Sequence, residues 1–319
     1  MKAILIRQFG PPGIMKLEEI EKPVITSDRV LVRVRYSSVN PVDWKIRNGS
    51  LRLISGSRFP MMLGFDIAGE AVETGSSVTR FKKGDRVFGM LDFTHRGAYA
   101  EYAAAREDGL ALIPENLDLR EAAAVPLAAL TAYQAIHYKG RIKSGMNVLI
   151  NGASGGVGSF AVQIAKAAGA IVSGVCSTHT MQFARQLGAH TIIDYTRQDF
   201  AHLPDTYDII FDAVAKRTFF EVRKNLKVGG CYVTTLPNKP ADILSFFLTF
   251  PVSFFGFSKR STFISVQPKG SDLHSLSLLV KEGKLRPFID REYPLEEINE
   301  AHAYSETGHA RGKIVIKIS

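Results

Sequence analysis

Asn151-Gly152-Ala153-Ser154-Gly155-Gly156-Val157-Gly158 follows the apolar run Val148-Leu149-Ile150 and leads into Ser159-Phe160-Ala161-Val162, and the reading of these eight residues decides the fold. A strand that ends in a glycine-rich turn and restarts as a helix leaves the first N–H groups of that helix without intrahelical acceptors. Such a turn is a seat for an anion. Gly155 lets the backbone approach a pyrophosphate and Gly158 lets the helix pack closely on the strand, while Ser154, Gly156 and Val157 complete the loop and the first turn. Ala153 stands where the first glycine of the dinucleotide pattern is expected, which is tolerable if Ala153 keeps a negative φ and Gly152 makes the tight turn.

The segments around this loop alternate strand and helix. Strands are expected at Val148 to Asn151, Ile171 to Cys176, Thr191 to Asp194, Tyr207 to Asp212, Cys231 to Leu236 and Phe263 to Val266, with helices at Gly156 to Ala168, Thr180 to Leu187 and Arg217 to Leu226. Strict succession implies a doubly wound parallel sheet covered on both faces, the Rossmann arrangement. An NAD site would carry Asp or Glu at the end of the second strand, but this chain has Cys176-Ser177-Thr178-His179 there. Hydroxyls at Ser177 and Thr178 suit a 2′-phosphate, with His179 or Arg185 adding charge, so NADPH is the expected cofactor.

The first third reads differently. Short apolar runs at Ala3 to Ile6, Val30 to Tyr36, Ile67 to Val72, Arg86 to Gly89 and Ala98 to Ala103 are separated by turn residues, which suggests an antiparallel β-rich domain. The texture changes near Leu119, where Arg120 to Ala135 reads as helix interrupted at Pro126. Residues 1–120 are therefore one domain, 121–266 the dinucleotide-binding domain, and 267–319, with helix Leu273 to Val280 and alternation over Lys313 to Ile318, a return to the first. An insertion over 240–258 carries six phenylalanines and no charge between Asp242 and Lys259, yet it is broken by Pro251 and shorter than the roughly 20 residues of a spanning helix. It is expected to be a lid, a dimer contact, a core-covering insertion or a peripheral membrane contact through 243–257.

Composition narrows the classes. A chain of 319 residues that is 45% hydrophobic can fill two cores. Its charge of +9 is dispersed, the longest local groups being Lys82-Lys83 and Lys259-Arg260, so no specific nucleic-acid partner is expected. Two cysteines, Cys176 and Cys231, cannot form a disulfide framework or a four-thiolate zinc site. With a strand-like N-terminus in place of a signal peptide, the cytoplasm is the expected location.

The chain resembles the medium-chain dehydrogenase/reductase family, in its zinc-free quinone oxidoreductase and alkenal reductase branch. Besides the glycine-rich loop, the resemblance rests on Ser38-Val39-Asn40-Pro41-Val42-Asp43-Trp44-Lys45, Leu63-Gly64-Phe65-Asp66-Ile67-Ala68-Gly69, Lys83-Gly84-Asp85-Arg86-Val87 and Gly97-Ala98-Tyr99-Ala100-Glu101-Tyr102. It implies a GroES-like β-rich domain plus a Rossmann domain, and a homodimer formed by edge-to-edge sheets. Zinc-dependent members place Cys where Asn40 stands and His where Phe65 stands, so neither catalytic nor structural zinc is expected, and Asp43 and Asp66, two acids without partner metal ligands, read as structural hydrogen-bonders.

In zinc-free members the Asn40 position lies beside the nicotinamide and the Lys45 position near cofactor or substrate. Thr131 matches a residue facing the nicotinamide ring, and Tyr195 one near the adenosine 2′-phosphate. Leu236, Ile264 and Val266 match strand ends whose backbone follows the nicotinamide ribose and carboxamide. The implied activity is hydride transfer from NADPH to a small-molecule quinone or to the β-carbon of an α,β-unsaturated carbonyl, with Asn40 or Lys45 as a donor to the developing oxyanion.

Overall fold

A computed structural model describes residues 1–237, 239–249 and 258–319. The chain divides into two compact units, one of residues 1–130, 267–283 and 287–319, the other of 131–266 and 284–286.

The first unit begins with β1 (Lys2–Ile6), β2 (Lys16–Glu19), β3 (Arg29–Val39), α1 (Pro41–Arg47), α2 (Arg52–Ser55), β4 (Met61–Met62), β5 (Asp66–Thr74), β6 (Arg86–Met90), β7 (Tyr102–Arg106) and β8 (Leu110–Leu112). It continues through α3 (Leu119–Ala123) and into α4 (Pro126–Gln134). Period-two alternation makes β3 the centre of the larger sheet: Val30, Val32 and Val34 are wholly buried and pack with Ile67, Ala71, Val87 and Leu110. The expected strand over Ala98 to Ala103 begins later, at Tyr102, because Ala98 and Tyr99 bond instead to the carbonyls of Gly64 and Leu63. The division at Leu130 falls ten residues after the change in sequence texture. Helix α3 explains the difference, since it packs on β3 and β5 and so stays with the β-rich unit.

The second unit holds β9 (Asn147–Asn151), α5 (Gly156–Ala167), β10 (Ile171–Cys176), α6 (Met181–Leu187), β11 (Thr191–Asp194), β12 (Tyr207–Asp212), α7 (Phe219–Val222), β13 (Leu226–Thr234), α8 (Pro240–Thr249) and β14 (Arg260–Phe263). The six strands pair in parallel in the order β11-β10-β9-β12-β13-β14. Strand order reverses between β9 and β12, and in such sheets ligands bind at the carboxyl ends beside that switch point. The strands are apolar almost throughout because helices cover both faces.

The return to the first unit supplies α9 (Gly270–Lys281), β15 (Ile289–Pro294), α10 (Ile298–Glu306) and β16 (Lys313–Lys317). β16 pairs antiparallel with β3, with Ile314 opposite Val39 and Val315 opposite Ser38, and completes the seven-stranded sheet. Of the phenylalanine-rich insertion, α8 covers 240–249, and 250–257 lie outside the described residues. Among the described residues no helix is long and apolar enough to cross a membrane.

Candidate cofactor and active site

At the carboxyl end of β9 the chain turns at Gly152, whose φ is +84°, while Ala153 keeps a negative φ and is wholly buried. The N–H groups of Gly152 and Ala153 both donate to the Val175 carbonyl, at 3.0 and 2.9 Å, which ties the loop to β10. A Cβ on Gly158 would stand 1.9 Å from the Gly152 carbonyl oxygen, so only glycine lets α5 approach its own loop this closely. Gly155 differs: a Cβ there would meet nothing nearer than 3.5 Å. The space above Gly155 is thus free for a ligand.

Ser159 N–H makes the first intrahelical bond, to Gly155 at 2.8 Å, so the amides of Gly156, Val157 and Gly158 precede it at the positive end of a 12-residue helix. The cradle fits a dinucleotide pyrophosphate. Asp212, wholly buried at the end of β12, supports it from the other side of the switch point. Its Oδ1 accepts from Asn151 Nδ2 at 2.9 Å and its Oδ2 from Arg217 N–H at 2.8 Å, and burial raises its pKa.

Ser177, Thr178, His179 and Tyr195 come together at the ends of β10 and β11, where Tyr195 N–H donates to the Cys176 carbonyl at 3.0 Å. Thr178, His179 and Tyr195 are exposed, and Thr178 lines a surface pocket with Met181, Gln182 and Arg185. The Thr178 hydroxyl donates to Asp194 Oδ2 at 2.5 Å. Leu236 lies two residues past the end of β13, and Ile264 and Val266 lie past β14, so none of the three is a strand residue. The ladder closes where Ile264 N–H donates to the Thr234 carbonyl at 2.9 Å, and beyond that point the backbone leaves the sheet. Thr131 is buried on α4.

In the first unit, Asn40 caps α1 and is 1% exposed. Its Nδ2 donates to Asp66 Oδ2 at 2.8 Å, its Oδ1 accepts from the Lys313 ammonium, and its backbone N–H donates to Asp43 Oδ2 at 2.7 Å. Asp66 also accepts from Ser38 Oγ at 2.5 Å and from Leu127 N–H at 2.7 Å. Lys313, 3% exposed, lies 3.6 Å from Asp66. Both acids therefore have partners, as their reading as structural hydrogen-bonders expects, and the Asn40 amide is bonded through its oxygen to Lys313 and through an N–H to Asp66. Burial lowers the pKa of Lys313, with Asp66 and then Asp43 opposing the shift. Burial pushes the Asp43 carboxyl up to about 7, and its Oδ1 has no hydrogen-bond partner.

These groups do not fit a zinc ion. Asn40 and the wholly buried Phe65, packed 4.8 Å from the Phe93 ring centroid, supply neither thiolate nor imidazole, and an ammonium already sits against the carboxylate. Among the described residues no group of three or more His, Cys, Asp or Glu is placed to hold a metal.

Lys45 stays outside this network. It is partly buried on α1, its Nζ 5.5 Å from the Trp44 ring centroid, and burial lowers its pKa. A second buried chain runs beneath: Arg47 pairs with Glu306 and donates to His302 Nδ1 at 3.3 Å, and His302 Nε2 lies 3.2 Å from the Tyr99 hydroxyl. Burial and the Arg47 charge press His302 down to about 3, so it is neutral.

Sequence reasoning missed Lys313 because it reads as the polar first residue of an alternating strand, and its partner stands 273 positions away. Asp194, read from the sequence only as the end of a strand, stands buried opposite Cys176 at the end of β11.

Comparison with known proteins matches residues 26–115 to the alcohol dehydrogenase GroES-like domain and residues 187–316 to the zinc-binding dehydrogenase family. A quinone-oxidoreductase homolog of the chloroplast from Spinacia oleracea is 36% identical over 97% of this chain and 95% of its own length. An NADPH-dependent alkenal/one oxidoreductase of the chloroplast from Arabidopsis thaliana is 34% identical over 99% of this chain and 79% of its own. The solved structure of the quinone oxidoreductase from Coxiella burnetii superposes with a TM-score of 0.88 at 35% identity, covering 100% of this chain and 99% of that one. By these likenesses and by its own glycine-rich cradle, the chain is an oxidoreductase of the medium-chain dehydrogenase/reductase family, in the quinone oxidoreductase and alkenal reductase branch.

Proposed function

We propose that this chain is an NADPH-dependent, zinc-free reductase acting on a quinone or on the β-carbon of an α,β-unsaturated carbonyl. The observation that carries this reading is the cradle itself: Gly158 is closed by protein, Gly155 is open, and the amides of Gly156, Val157 and Gly158 precede the first intrahelical bond of α5. The relative from Arabidopsis is named as NADPH-dependent and as acting on alkenals and alkenones.

Bound NADPH supplies the hydride. The residues of the chain bind and orient. The pyrophosphate rests on the first turn of α5, and Ser177, Thr178, His179 and Tyr195 flank the adenosine ribose. The loops beyond β13 and β14, with Leu236, Ile264 and Val266, serve the nicotinamide end, as does Thr131. The Asn40 amide is oriented by Lys313 and Asp66, and the donor to a developing oxyanion is its second amide N–H or the Lys45 ammonium. Reduction of an electrophilic acceptor suits this residue set better than oxidation of an alcohol, whose weakly acidic proton would need a Lewis acid or a base. NADPH oxidation across a panel of quinones, enals and enones tests the reading. Turnover of one class supports it, and no turnover with any acceptor refutes it.

A second reading, an NADPH-binding protein resting on a membrane surface, draws on α8, where Ile243, Leu244, Phe247 and Leu248 are 50%, 53%, 67% and 58% exposed. It predicts co-sedimentation with lipid vesicles in the absence of turnover. The reductase itself is taken as a cytoplasmic homodimer, which light scattering tests.

A further inference from the structure

Helix α8 is built inside out. Asp242, Ser245 and Thr249 lie on its buried face, at 4%, 0% and 7% exposed, with Phe246 beside them against the Phe263 ring, centroids 5.4 Å apart. Hydroxyls fasten that face to β14, the last strand of the parallel sheet. Ser245 Oγ lies 2.9 Å from Ser261 Oγ, and Thr249 Oγ1 accepts from Ser261 N–H at 2.9 Å and donates to the Ser245 carbonyl at 2.8 Å. Ile243 and Phe247, and likewise Leu244 and Leu248, recur four residues apart on the outer side, where each is half exposed or more. A helix whose outer side meets water shows the reverse pattern, apolar inside and polar outside.

The charge of the chain gathers at the same place. Residues 214–260 carry eight Lys or Arg against two Asp or Glu, a net +6 out of the +9 of the whole chain. Both acids serve the protein: Glu221 accepts from Thr218 N–H to cap α7, and Asp242 is buried beneath α8. Arg217 and Lys227 are paired with Asp199 and Asp208. Lys216, Arg223 and Lys224 are exposed, and among the described residues neither these three nor Lys259 has an ion-pair partner. Their backbone places them beside the helix. Lys239, just before α8, donates to the Lys216 carbonyl at 3.0 Å, Lys259 donates to the Arg223 carbonyl at 2.8 Å, and α7, which runs into Arg223 and Lys224, packs on α8.

An uncovered apolar face flanked by cations selects among partners. A second copy brought onto it across a twofold axis would set the same cations against one another, since such a contact joins a patch to itself. A nucleic acid would satisfy the cations and leave the apolar side chains in water. An anionic bilayer satisfies both, with acyl chains for Ile243, Leu244, Phe247 and Leu248 and charged headgroups for the lysines and arginines.

We propose that this chain docks on anionic lipid membranes through the outer face of α8, with Lys216, Arg223, Lys224 and Lys259 against the headgroups. This rests on the reading of α8 as a membrane-facing helix, to which it adds the lipid class, and it holds whether or not the docked chain turns over.

The test is co-sedimentation of the full chain with vesicles of phosphatidylcholine alone and with vesicles in which phosphatidylserine replaces one lipid in three. The anionic vesicles are expected to bind at least about tenfold more tightly, because each Lys or Arg near such a surface is attracted to it, and the difference should shrink as salt screens it. Phe247→Asp should weaken binding to anionic vesicles at least about tenfold, since it sets a carboxylate at the acyl boundary. Arg223→Glu together with Lys224→Glu should abolish the preference for phosphatidylserine. Both variants should keep the parental melting temperature, because the changed side chains are exposed.

Equal binding to both kinds of vesicle would overturn the lipid class while leaving α8 a membrane-facing helix, and no binding to either would overturn both. Undiminished binding of the anionic vesicles by either variant would overturn the assignment to this face. So would a Phe247→Asp chain that light scattering shows to have lost subunits, the result expected if a second copy covers α8.

Discussion

The ammonium of Lys313 donates to Oδ1 of Asn40, joining the first residue of the last strand to the cap of the first helix inside the β-rich unit. The bond fixes which way the Asn40 amide points, since its Nδ2 is then directed at Asp66, 2.8 Å away. An ammonium, a carboxylate and an amide so enclosed satisfy one another, and the loss of any one leaves a buried group bare.

Lys313→Met is accordingly expected to cost about 3 to 5 kcal/mol of stability, because Asp66 stays buried with its cation gone. Urea unfolding measures it. A cost below about 1 kcal/mol would mean that the pair contributes little.

The two glycines of the cradle separate binding from folding. Gly158→Ala drives a methyl to within 1.9 Å of the Gly152 carbonyl and should destabilise the chain by about 3 kcal/mol. Gly155→Ala meets only an atom at 3.5 Å and, with φ of −81°, strains nothing. It should leave the melting temperature within a few degrees while weakening NADPH by about tenfold or more, since the methyl fills the space above the loop. Thermal unfolding with and without nucleotide checks both. An undiminished NADPH-induced shift in Gly155→Ala would place the nucleotide elsewhere.

His302 makes stability depend on acid. Its folded pKa of about 3 lies below the usual 6.5, so the unfolded chain binds the proton more readily. The stability that neutral His302 contributes is complete above pH 6.5 and is lost as pH falls toward 3. At pH 4 the loss is on the order of 3 kcal/mol. His302→Gln should remove that share of the slope, so that its unfolding free energy falls less between pH 7 and pH 4 than that of the parent. Parallel slopes would assign the acid sensitivity to other groups.

The parallel sheet was legible because its strands are buried on both faces and so appear as short apolar runs with clear ends. β10, β11 and β12 begin and end where the pattern places them. β13 was not. It starts at Leu226 rather than Cys231, because the strand runs on through Gly229 and Gly230, glycines that read as a break and instead sit beside an irregular register opposite Tyr207 and Ile209. The charged β2 and β15 left no apolar signal at all.

The cradle was legible for the same local reason as β9, namely that a glycine-rich loop carries its whole message in eight contiguous residues. The Asn40, Asp66 and Lys313 cluster was not, because a helix cap and the first residues of two strands, distant in sequence, contribute one polar residue each and only tertiary packing brings them together.

The central claim, metal-independent reduction by NADPH, is tested most directly by following NADPH oxidation with phenanthrenequinone and with an acrolein-type enal, before and after exhaustive dialysis against a zinc chelator. The account predicts turnover of at least one acceptor at a rate that dialysis does not change. Absence of turnover with both acceptors, or a rate abolished by the chelator and restored by zinc, would contradict it.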